Sequence, residues 1–63
     1  MSWKDAKKTA EAWVAGMSLP KNLTGKSINL KQLAENLPQQ GVYREMIVRA
    51  ATRLLRQRGA KVE

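Results

Sequence analysis

Three arginines in the second half of the chain, Arg49, Arg53 and Arg56, stand at i, i+4 and i+7, a spacing that on an α-helix sets them in one row. A guanidinium carries a permanent positive charge and a planar fork of N–H donors, which matches two acceptors at once on a phosphate or on the edge of guanine. Like charges one turn apart repel, and Glu45 stands four residues ahead of Arg49 only. The row therefore costs stability unless an anion lies beside it. Its expected chemistry is contact with a polyanion; the competing reading is a charged helix face that meets nothing but solvent.

Composition points the same way. The 63 residues hold 12 Lys+Arg against 5 Asp+Glu, a formal charge of +7 with a pI near 10.4, which suits DNA, RNA, an acidic protein surface or an anionic membrane. With neither Cys nor His, the chain lacks disulfides, a thiol nucleophile, a Cys/His zinc site and an imidazole for acid–base work. The five carboxylates, Asp5, Glu11, Glu35, Glu45 and Glu63, are scattered without a pair flanking a pocket. Gly25-Lys26-Ser27 has the end of a phosphate-binding P-loop but neither its glycine spacing nor a strand before it. The expectation is a protein that is not an enzyme and carries no cofactor or metal. Lys4, Asp5, Lys7, Lys8 and Glu11 interrupt the first apolar stretch, so a membrane partner is not expected and a cytoplasmic location is.

Residues 1–63 have room for one domain with a core of about a dozen side chains. Ser2, with Asp5 three residues on, opens a first helix in which Trp3, Ala6, Ala10, Trp13, Val14 and Met17 recur at helical spacing. Residues 18–27, SLPKNLTGKS, read as a loop with Leu19 and Leu23 turned inward. Asn29 and Gln32 cap a second helix over 29–37, carrying Leu30, Leu33, Ala34 and Leu37. Pro38 ends it. The third helix spans 42–58, with Tyr43, Ile47, Ala50, Ala51, Leu54 and Leu55 on one face and Glu45, Arg49, Thr52, Arg53, Arg56 and Gln57 on the other; Gly59 closes it. The architecture expected is all-α, a compact three-helix domain in which Leu33 and Leu54 are core residues.

INLKQLAENL, a short break and VYREMIVRAATRLLRQRG resemble the helix-turn-helix of small bacterial, phage and plasmid DNA-binding proteins, winged-helix regulators among them. Leu30, Leu33 and Ala34 match the supporting helix, and Val42, Tyr43, Ile47 and Leu54 the recognition helix. Two features depart from the pattern: Pro38 stands where a Gly-centred turn is usual, and after Gly59 the residues AKVE suffice to start a strand but not to complete a wing. The resemblance implies a helix-turn-helix-like pair whose third helix enters the major groove of double-stranded DNA. It assigns base contacts to Gln39, Gln40, Tyr43, Arg44 and Arg49, and phosphate contacts to Lys26, Lys31, Arg53 and Arg56. Tyr43 sits awkwardly there, being on the apolar face.

The function expected is that of a DNA-binding regulator or accessory factor. A homodimer follows from the small surface that one module buries and from Trp3, Trp13 and Met17 on one stripe. Two other classes compete: a mobile-element protein that inhibits a host or partner protein through its acidic surface, and an RNA-binding module.

Overall fold

The computed structural model describes residues 2–63. Its first helix, α1, runs Trp3–Gly16, and begins where the Ser2 hydroxyl accepts the Asp5 amide proton at 3.2 Å, with the Asp5 carboxylate in the positive first turn. Ala6, Ala10 and Val14 form its buried stripe. That stripe lies against the longest helix, Val42–Gln57, which buries Ile47, Ala50, Ala51 and Leu55. Alanine on both sides lets the two backbones approach closely, so that four small residues do the work of a wider apolar face.

Between them lies an ordered connection. Asn22 accepts the Thr24 amide proton through Oδ1 at 2.9 Å, a local turn that drops Leu23 into the core. A short strand β1, Ser27–Ile28, follows, then the helix α2, Leu30–Leu33, capped by Asn29 Oδ1 accepting from the Gln32 amide at 3.2 Å. α2 tightens at once into a 3-10 turn over Ala34–Asn36. Leu37 is extended ahead of Pro38, as steric contact with the proline ring requires. The helix from Val42 to Gln57 is then α3, and Lys61–Val62 forms β2, parallel to β1 with Ser27 opposite Lys61 and Ile28 opposite Val62.

The end of α3 is built by Gly59. Its amide donates to the Arg56 carbonyl at 2.9 Å and the Ala60 amide to the Leu55 carbonyl at 3.1 Å, the paired bonds of a Schellman cap with Ala60 buried beside Leu55. Gly59 has φ +99°, and a Cβ there would stand 2.7 Å from Thr24 Oγ1 and 3.1 Å from the Thr24 nitrogen. This close approach brings the Leu23 amide to the Arg58 carbonyl at 2.7 Å and starts the strand pair.

The mostly helical, three-helix domain agrees with the sequence; the first two helices start where the Ser2 and Asn29 caps place them, and the third starts at Val42 as its spacing indicates, with no side-chain cap. Several particulars differ. The second helix is four α-residues and a 3-10 turn rather than a helix over 29–37; Leu30 and Ala34, four apart, are buried, and Leu37 just beyond the turn is half-buried against the core. Leu33 is 41% exposed and is not a core residue. Tyr43, 40% exposed, lies on the opening turn of α3 before the buried stripe starts at Ile47. Leu54 is half-buried at the edge of the core, as are Trp13 and Met17, while Trp3 is 36% exposed. The strand pair, two residues long, has no sequence periodicity to announce it.

Burial separates the leucines. Leu30→Ala and Leu55→Ala should each lower stability by about 2–5 kcal/mol, whereas Leu33→Ala should cost under about 1 kcal/mol. Thermal melts followed by circular dichroism check this, and equal losses at positions 30 and 33 would contradict the burial pattern. Gly59→Ala should cost about 1–3 kcal/mol, through the positive φ and the Thr24 contact together.

Candidate nucleic-acid interface

Because Ile47, Ala50, Ala51 and Leu55 turn inward, the opposite side of α3 is left to Val42, Glu45, Arg49, Arg53 and Arg56, all exposed. Val42 is 71% exposed at the start of the helix. The arginine row expected from the spacing is thus present and faces solvent. Its members do not share one surroundings, however. Arg49 lines a cleft of about 410 Å³ between α2 and α3, together with Lys31, Ala34, Arg44, Glu45 and Val48. Arg53 lines a groove of about 280 Å³ on the other flank of α3, with Lys7 and Glu11 of α1 and with Ala50, Leu54 and Gln57.

Arg44, expected to contact a base, is engaged by the backbone of the preceding turn. It is half-buried, and its Nε donates to the Gln39 carbonyl at 2.9 Å while Nη2 donates to the Leu37 carbonyl at 3.1 Å. These bonds tie the connection between α2 and α3 to the first turn of α3. A guanidinium so engaged holds the turn in shape, at the wall of the cleft that Arg49 and Lys31 also line. Gln39 is drawn in by the same arrangement: it is half-buried, and its Oε1 is buried without a hydrogen-bond partner. Gln40 and Tyr43 remain exposed beside the start of α3. Thr52, on the polar face by its spacing, is half-buried and donates its hydroxyl proton to the Val48 carbonyl at 2.8 Å.

Of the expected phosphate contacts, Lys31, Arg53 and Arg56 are exposed on α2 and α3. Lys26 is exposed but borders neither cleft; it leads into β1, where its carbonyl accepts from the Lys61 amide at 2.9 Å. Lys7 is the residue that the sequence reading passed over. It stands three residues before Ala10 and seven before Val14, so it had to fall at an edge of the α1 stripe. Which neighbour lay across that edge depended on how α1 docks.

Among the described residues no group of three or more carboxylates could hold a metal ion, and no helix is long and apolar enough to cross a membrane. Comparison with known proteins finds no matching family model, no matching curated protein and no matching solved structure.

The clamp can be tested directly. Arg44→Met removes both bonds, leaves the Leu37 and Gln39 carbonyls without those donors, and should lower stability by about 1–3 kcal/mol. Hydrogen exchange should quicken in residues 37–45 while the amides of α1 keep their protection. Uniform exchange behaviour across the two regions would show that Arg44 does not hold the turn.

Proposed function

We propose that this protein binds double-stranded DNA as a small regulator or accessory factor, with α2 and α3 as a helix-turn-helix-like pair and α3 as the recognition helix. One observation carries the reading: Arg49, Arg53 and Arg56 are exposed in a row on a 16-residue helix whose solvent face holds a single carboxylate, Glu45. Each repulsive pair costs a few tenths of a kcal/mol, and a polyanion offsets that cost. Base contacts fall to Gln40, Tyr43 and Arg49, which are exposed on or beside the first half of α3. Phosphate contacts fall to Lys31, Arg53 and Arg56. Arg44 and Gln39 serve by shaping the turn. The chain acts as a homodimer on paired half-sites, in the cytoplasm.

Phosphate neutralisation releases counterions, so about four to six contacts give a slope of roughly −4 to −5 in log K against log salt. Arg53→Ala should weaken binding to every sequence alike and flatten the slope by about one unit, whereas Arg49→Ala should reduce discrimination at one base position by about 1–3 kcal/mol. A folded Arg49→Ala/Arg53→Ala variant that binds duplex with unchanged affinity and slope sinks the proposal; stronger retention of structured RNA, or no binding without a protein target, transfers it to the competing classes.

Dimerisation is read by sedimentation. A dimer is expected at micromolar concentration, weakened by Trp3→Ala, which alters the most exposed of the two tryptophans and spares the core contact of Trp13. A strict monomer at all accessible concentrations removes the half-site arrangement.

A further inference from the structure

The arginine row is bracketed by basic residues from two other helices. On one flank of α3, Arg49 shares its cleft with Lys31 of α2; on the other, Arg53 shares its groove with Lys7 of α1. All four side chains are exposed, and each cleft contains one carboxylate, Glu45 in the first and Glu11 in the second. A helix with its side chains is about 10–12 Å across, and the major groove of B-form DNA is about 12 Å wide, so residues on the two flanks of a seated helix face opposite walls of the groove. Those walls are the two phosphate backbones.

We infer that the clefts flanking α3 grip opposite strands of one duplex, Lys31 holding a phosphate of one strand beside the base-reading Arg49, Lys7 and Arg53 holding phosphates of the other. This rests on the DNA-binding reading and adds to it a function for α1, whose Lys7 becomes a phosphate-binding residue. The arrangement also names the duplex as B-form: the deep, narrow major groove of an RNA helix excludes a helix with charged flanks on both sides. Glu11 and Glu45 limit where along each wall a phosphate can settle, since a phosphate beside either carboxylate is repelled.

The test is ethylation interference on a duplex of about 20 base pairs, a length that gives α3 a groove to occupy and DNA on either side, enriched by the protein itself from a random pool, with an RNA hairpin of matched length as a control. In the Lys31→Ala protein, one or two phosphates on one strand of each half-site should cease to interfere; in the Lys7→Ala protein, the phosphates released should lie on the opposite strand of the same half-site. Each variant should flatten the salt slope by about one unit per bound protomer. Glu11→Gln, which removes a charge without shortening the side chain, should tighten duplex binding about threefold, the scale of one exposed charge pair. Because positions 7, 11 and 31 are exposed, unchanged circular dichroism is expected for all three. If the wild-type protein enriches no duplex and shifts none at low salt, the DNA-binding reading itself fails. If it binds duplex but Lys7→Ala leaves the pattern and slope intact, or releases phosphates on the strand that Lys31→Ala releases within the same half-site, only the two-strand grip is overturned. Equal affinity for the RNA hairpin also overturns it.

Discussion

The contact between α1 and α3 decides what every other part of the protein can do. Ala6, Ala10 and Val14 meet the face made by Ile47, Ala50, Ala51 and Leu55, and this fixes the rotation of α3 about its own axis. Once that rotation is set, the arginines have one direction left to point. Small side chains make the contact demanding: a larger residue at position 6, 10, 50 or 51 has no void to enter, and relief requires the helices to part. The outward face therefore depends on residues that never touch a ligand.

A second constraint acts at the two ends of α3. Its start is held by Arg44 reaching back to the carbonyls of Leu37 and Gln39, and its end by the Gly59 cap pressed against Thr24. Both are made mainly by the backbone, with Ala60 adding a small apolar contact to the core at the second end, in a domain with little apolar material to supply. An arginine is spent on architecture at one end, and a residue without a side chain at the other. The turn containing Pro38 has its glycine not at the centre but at its end, where Gly41 takes φ +63° directly before α3.

Much of this was legible beforehand, for reasons that differ from element to element. Ser2, Asn29 and Gly59 announce helix ends because capping is local chemistry, settled by residues within four positions of one another. The outward row of Arg49, Arg53 and Arg56 follows from helical spacing alone. Leu33 misleads because the buried face of so short a helix is the single i, i+4 pair of Leu30 and Ala34, and the residue at i+3 falls at its solvent edge. Arg44 misleads because its partners are backbone carbonyls, which have no signature in side-chain type. Lys7 was hidden for a third reason: its role depends on which helix lies across the edge of α1. The strand pair joins residues 27–28 to 61–62, a long-range match too short to leave a pattern.

The parallel pairing of β1 with β2 bears on how the molecule comes to be folded. Leu23, Ser27 and Ile28 depend on Arg58, Lys61 and Val62 for their backbone order, and α1 has no surface to bury against until residues 47–55 exist. The α1–α3 packing and the strand pair both join residues far apart in the chain, so loop closure has to precede these contacts. On the ribosome, α1 must therefore travel as an amphipathic segment with its alanine stripe bare while residues 17–46 are added, and the core is sealed only when the last strand has emerged. Such a chain gains its order late and all together.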